Sequence, residues 1–115
     1  MTSGILYDQG DIVLVPFPFT NLRTIKKRPV LILSQKEYHT KTKDIITCGI
    51  TSNLGDDHCS VLIDTTYLLQ GQLPVSSRIK VDKLFTLEQS LVIKKLGKIN
   101  KDTMQKVKEI LFELV

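Results

Sequence analysis

Asp11 to Phe19 alternates cleanly, with Val13, Val15, Phe17 and Phe19 on one face, the two-residue period of a half-buried strand. Pro16 and Pro18 lie two apart, so the N–H groups they lack would point the same way. That predicts a second half lying at a sheet edge or beyond the ladder. Thr20 to Lys27 turns polar and basic and reads as a loop. Pro29 to Ser34 is a continuous apolar run, the pattern of a buried strand, and Asp44 to Thr51 is a third strand rich in β-branched residues. Asn53-Leu54-Gly55-Asp56-Asp57 carries turn chemistry, and Cys59 to Asp64 predicts a fourth strand. Gly71-Gln72-Leu73-Pro74 breaks the pattern. Ser77 to Leu84 then alternates, with Ile79 and Val81 on one face and Arg78, Lys80 and Asp82 on the other. Leu91 to Ile99 predicts a further short strand, interrupted by Gly97.

The pattern changes period at the end of the chain. Met104, Val107, Ile110, Leu111 and Leu114 form one helical stripe, with Asn100 as N-cap and Asp102 in the first turn. Five to seven short strands followed by one helix predict a mainly β fold with a terminal α-helix, a strongly bent sheet or partly open barrel. At 115 residues the chain is long enough for one domain, spanning 1–115, and too short for two. A domain this small with an apolar sheet is expected to bury further surface in a dimer.

Composition narrows the class. Hydrophobic residues make up 42% and charged residues 24%, ordinary values that exclude a disordered or low-complexity chain. Apolar runs such as Val30 to Leu33 fall far short of a membrane span, and polar Asp8, Gln9 and Asp11 stand where a signal peptide needs its apolar stretch. A cytoplasmic protein is expected. The net charge of +4 is concentrated: Arg23, Lys26, Lys27, Arg28, Lys36, Lys41 and Lys43 face only Glu37 within that stretch. Such an excess suits a phosphate-bearing partner, and it equally suits a solvated lysine-rich loop. Cys48 reads as a small core residue, and a Cys48–Cys59 disulfide would be unusual in a reducing compartment. Asp56-Asp57-His58-Cys59 lacks the paired spacing that converges ligands on one ion, so no metal site is expected.

The remaining chemistry is sparse. There is no Gly-rich phosphate loop, no GxSxG elbow and no tryptophan, which leaves Arg28 and the Thr51-Ser52-Asn53 element. Arg28 immediately precedes Pro29 and a buried strand, so a fixed backbone would hold a guanidinium able to fork two hydrogen bonds to a phosphate. Thr51 offers a hydroxyl where another apolar strand ends. Two such strand ends meeting would place a cation and a hydroxyl around one phosphodiester. That suffices in principle for metal-free RNA cleavage, because RNA carries its own 2′-OH nucleophile. A surface ion pair for Arg28 and a turn-capping hydroxyl for Thr51 explain the same residues.

Gly10-Asp11-Ile12-Val13-Leu14-Val15-Pro16-Phe17-Pro18-Phe19-Thr20, followed by Lys27-Arg28-Pro29-Val30-Leu31-Ile32-Leu33-Ser34, resembles the opening of the PemK/MazF toxin family. Ile50-Thr51-Ser52 resembles that family's second motif. Lys83-Leu84-Phe85-Thr86-Leu87 through Leu96-Gly97-Lys98-Ile99 and the final helix fit its C-terminal half. The resemblance implies an SH3-like barrel of the kind shared by MazF and CcdB toxins, working as a homodimer. It further implies a sequence-selective, metal-independent endoribonuclease that cuts single-stranded RNA, needs no cofactor and is held inactive by a cognate antitoxin. Carried over by position, Arg28 and Thr51 become the catalytic pair, with Lys27, Ser52 and Asn53 as RNA contacts. Where many relatives have an acidic residue in the first loop, this chain has Arg23, Thr24 and Ile25. An arginine is too basic to serve easily as general base. His39 or His58 would suit that task better, but nothing in the sequence places either beside Arg28. Two other readings remain: a CcdB-like toxin gripping a topoisomerase, and an SH3-like nucleic-acid-binding module without catalysis.

Overall fold

The computed structural model describes residues 7–18 and 25–115. Strands β1 (Asp11–Pro18), β2 (Ile25–Ile32), β3 (Asp44–Thr51), β4 (Ser60–Ile63), β5 (Leu68–Gly71), β6 (Ser77–Glu88) and β7 (Lys94–Ile99) form one seven-stranded sheet. Helix α1 (Lys36–Thr42) links β2 to β3, and α2 (Lys101–Leu114) ends the chain. The spatial order is β4-β6-β3-β2-β1-β7-β5, with every pairing antiparallel. This curled sheet with its terminal helix is the mainly β, barrel-like architecture expected from the strand pattern.

The sheet is covered on both faces. Ile12, Leu31, Leu33, Cys48, Ile50, Ile79 and Val81 pack into one cluster with Met104 and Val107 of α2. Val13, Val15, Val30, Ile32 and Ile45 form a second cluster on the other face. Successive side chains of a strand point to opposite faces, so Val30-Leu31-Ile32-Leu33 feeds both clusters in turn. That is why the run is apolar without alternation.

β6 serves both clusters by changing phase. Leu84 and Lys80 lie four residues apart yet pair with the consecutive residues Cys48 and Gly49. The excess, Val81–Lys83, is an odd number of residues, and an odd excess exchanges inside for outside along the strand. Ile79 and Val81 therefore pack into the first cluster, whereas Phe85 and Leu87 pack against the second. The expected strand stopped at Leu84 because the alternation breaks at this bulge.

Several expected boundaries change. Ile25–Lys27, assigned to a loop, belong to β2 and pair with Pro16–Pro18; Thr20 to Thr24, and Phe19 of the first strand, lie outside the described residues. β7 begins at Lys94 rather than Leu91, and α1 and β5 had no counterpart in the sequence pattern. Lys80, assigned to the solvent face, is buried. The two prolines behave as expected. β7 pairs with β1 only over Asp11–Leu14, leaving the second half of β1 beyond that ladder. Leu14 turns its carbonyl to that side, where it accepts the Ile93 N–H at 2.8 Å. By the strand's alternation Pro16 and Pro18 face the same way, so this stretch offers no N–H to a further strand.

At the other margin, Gly71 pairs with Gly97. Gly71 has φ +81°, and a Cβ there would overlap the Leu96 carbonyl. Glycine is the residue both constraints demand. α2 starts where expected: the Asn100 side chain accepts the Thr103 N–H at 2.8 Å. Among the described residues no helix is long and apolar enough to cross a membrane.

Candidate active site at the β2–β3–β6 junction

The ladder between β2 and β3 runs from Ile32↔Thr47 to Val30↔Gly49 and lapses at Pro29, which has no N–H to give. Carrying the register two residues further sets Arg28 opposite Thr51. On its other side, Thr51 pairs directly with Arg78 of β6. Opposed residues of neighbouring strands project from the same face. Arg28, Thr51 and Arg78 therefore share one face, the one that carries Val30 and Ile32 in the second cluster. Where that cluster ends, the face turns from aliphatic to cationic.

Arg28 is half-buried inside β2 rather than at a strand start, and Val15 of β1 stands opposite it. Thr51 closes β3. Its Oγ1 accepts the Asn53 N–H at 3.0 Å, so the turn-capping role is real. Among the described residues no acceptor takes the hydroxyl proton. Ser52 and Asn53 are exposed in the following turn, where Asn53 Oδ1 accepts the Gly55 N–H at 3.1 Å. Lys27 is also exposed, but the alternation of β2 turns it to the face opposite Arg28, and Lys26 shares Arg28's face instead. Phe17 of β1 lies on that same face and meets Phe85 edge-on at 5.7 Å between ring centres.

Arg78 was missed from the sequence, where it read as an ordinary polar-face residue. Its Nε donates to the Leu54 carbonyl at 2.7 Å, and its Nη1 to Ser60 Oγ at 3.2 Å. No signal in the chain marks it, because its place next to Thr51 comes from β6 lying beside β3.

The described part of the basic stretch is divided between two elements. Lys26, Lys27 and Arg28 belong to β2, whereas Lys36 and Lys41 belong to α1 and Lys43 caps it. α1 follows the opposite end of β2. His39 lies there too, fully buried: Nδ1 donates to the Tyr7 carbonyl at 2.7 Å, which leaves Nε2 to accept from Ser34 Oγ at 2.6 Å. Ser34 Oγ in turn accepts the Ile46 N–H. Thr51 lies five positions along β3 from Ile46, roughly 16 Å at strand spacing, so His39 is a structural residue remote from Arg28. His58 is exposed in the segment that follows Thr51.

Cys48 sits in the core, where burial pushes its thiol up to about 12. Both cysteines are free. Among the described residues no three His, Cys, Asp or Glu side chains gather closely enough to hold a metal ion.

No curated protein matches this sequence. The fold matches solved structures over nearly its whole length. A MazE-MazF complex from Deinococcus radiodurans superposes with a TM-score of 0.78 at 22% identity, covering 96% of each chain. An endoribonuclease in complex with its cognate antitoxin from a mycobacterial species gives 0.72 at 18% identity, over 94% of this chain and 91% of that one. Mycobacterium tuberculosis toxin MazF-mt6 gives 0.70 at 18% identity, over 90% and 93%. At such identities the likeness speaks for the fold. The sequence itself supplies the rest: residues 8–115 match the PemK-like, MazF-like toxins of type II toxin-antitoxin systems, and the chain belongs to that family.

Proposed function

We propose that this toxin is a metal-independent endoribonuclease that cuts single-stranded RNA at selected sequences, with Arg28 and Thr51 at the reacting phosphate. The observation that carries this reading is the register, which sets a guanidinium and a hydroxyl on one face of adjacent strands where the ladder between them lapses. In the reaction, the substrate's 2′-oxygen attacks the neighbouring phosphorus and the bond to the 5′-oxygen breaks. A 2′,3′-cyclic phosphate and a 5′-hydroxyl result, the proton lost from the 2′-OH being balanced by one gained at the leaving oxygen. Arg28 stabilises the charge that builds on the phosphoryl oxygens, and the Thr51 hydroxyl donates to one of them. Arg78, beside Thr51, adds a second cation, while Ser52 and Asn53 contact flanking nucleotides. Lys27, on the opposite face of β2, adds only long-range positive charge.

The family and the antitoxin-bound structural neighbours support a cognate antitoxin as partner. A cationic face bordered by strand edges suits an acidic peptide that orders on binding. Exposed Leu62, Phe112 and Leu114 leave apolar surface that a second copy would cover, in keeping with a homodimer.

The test is to incubate the purified protein with mixed single-stranded RNA in EDTA. Discrete fragments ending in cyclic phosphate are expected, and they should vanish in Arg28→Ala. Binding without cutting would leave a nucleic-acid module, and no RNA interaction at all would point to a protein target.

A further inference from the structure

Lys80 is the one buried lysine among the described residues, with its side chain only 5% exposed. It stands two residues beyond Arg78 on β6 and therefore on the same face. Its ammonium donates to Asp56 Oδ1 at 2.9 Å and to the His58 carbonyl, with Asp82 Oδ1 at 3.8 Å. Arg78 holds the Leu54 carbonyl. Two cations two residues apart on β6 thus grip positions 54, 56 and 58 of the segment that leaves Thr51.

The remaining contacts agree. The Asp56 N–H donates to the Asn53 carbonyl at 3.3 Å, and the Val81 N–H to the Cys59 carbonyl at 3.0 Å. Cys59 has φ +49°, a left-handed backbone that a side chain disfavours and that persists only where its surroundings impose it. The segment from Asn53 to Cys59 has no buried residue of its own. Its shape therefore depends on the strand beneath it and on these polar contacts.

We infer that Lys80 is a positioning residue, which by holding Asp56 and the His58 carbonyl clamps the 53–59 segment against β6 and fixes the wall along which the RNA strand lies beside Thr51. The inference rests on the ribonuclease reading given above. Lys80 does not meet the reacting phosphate. Its effect falls on how well the strand is held, because Arg28 and Thr51 are fixed by the sheet itself.

The experiment compares wild type with Lys80→Met, a variant of similar length for a buried position, and with Asp56→Asn, which leaves the buried lysine in place. Asp57→Asn, the exposed carboxylate next door, is the control. Backbone hydrogen exchange over 53–59 and steady-state RNA cleavage are measured on each. Loss of a charge-assisted contact should raise exchange across 53–59 and KM by about tenfold in Lys80→Met, with kcat within about threefold of wild type. Asp56→Asn should move both the same way by a smaller factor, and Asp57→Asn should move neither.

Faster exchange with unchanged KM and kcat would leave Lys80 a structural residue only and overturn the inference. Altered KM without faster exchange would overturn the clamp as its cause. Equal effects of Asp56→Asn and Asp57→Asn would reduce it to bulk charge. Should Lys80→Met fail to fold, Asp56→Asn carries the same comparison. A wild-type protein that cuts no RNA would refute the ribonuclease reading and the positioning role with it, while the exchange data would still decide whether Lys80 holds the segment.

Discussion

Thr51 pairs across β3 and β6 with Arg78, and Arg78 also pairs with Leu62 of β4. The same guanidinium donates to Leu54 and Ser60, on either side of the turn that joins β3 to β4. Arg78 is thereby fixed in direction at the place where β3 delivers its terminal hydroxyl. Together with Arg28 across the lapsed ladder, it brackets Thr51 between two cations, an arrangement that suits a phosphodiester and repels a cationic ligand.

Arg28→Ala and Thr51→Ala should each lower cleavage by about 10²–10³ while leaving the fold intact, as expected when one charge-stabilising donor is lost. Cleavage rates in EDTA, read beside circular dichroism, check this. Unchanged rates in either variant would remove that residue from the reaction.

Arg78→Ala should cost about 10- to 100-fold, the range for losing a charged hydrogen bond. Arg78→Lys should recover part of that, because a lysine keeps the charge but cannot hold Leu54 and Ser60 together in one fork. A lysine variant as impaired as the alanine one would show that geometry outweighs charge here.

α2 docks through Met104 and Val107, with Val107 fully buried. Val107→Asp would place a carboxylate in that cluster without a partner and should cost about 3–5 kcal/mol, enough to unfold a small domain. Helical circular dichroism and the thermal midpoint should both collapse.

Gly71→Ala meets two obstacles, a positive φ and the carbonyl of Leu96. It should lower stability by about 1–3 kcal/mol. Denaturant midpoints report the loss, and the β5–β7 margin should open first in hydrogen exchange.

The clamp has a defined pH window. Asp56 titrates below the ordinary aspartate value of 3.8 because Lys80 donates to its carboxylate, and Asp64 does so because the Thr66 hydroxyl and amide donate to it. For a depressed carboxyl the contribution is complete above the ordinary value and fades as pH falls through the lowered one. Lys80 titrates above its ordinary 10.5, chiefly through the hydrogen bond to Asp56, so its share is complete below that value and fades as pH rises through the raised one. Lys83, His58, Asp82 and Cys59 are the other charged or titratable groups acting on the pair. Exchange over 53–59 should therefore reflect a constant clamp from about pH 5 to 9 and a weakening one below about pH 4.

Much of this fold could be read from residue pattern alone, and the exceptions have physical causes. β3 was legible to the residue because Asp44–Thr51 is β-branched and bounded by turn chemistry. α2 was legible because its stripe and its Asn100 cap are local features. α1 was not, since its seven residues bury only His39 and so carry no stripe. Lys80 read as a solvent-face residue because alternation reports a side chain's direction, and the earlier 53–59 segment folds over that face. Of the candidate site, Arg28 and Thr51 stood out through their motifs, and the neighbouring strands bring their positions together. Arg78 and the clamp depend on which strands become neighbours, information that no local window holds. Lys27 and the lysines of α1 show the converse: closeness in the chain placed them on other surfaces.

The odd excess at Val81–Lys83 constrains how this chain can change in length. Adding or deleting one residue there would turn Phe85 and Leu87 outward and bring Thr86 and Glu88 against the apolar cluster. A change of two would restore the phase. Length variation should therefore be tolerated at this excursion only in even steps, a parity rule that the loops joining separate strands do not share.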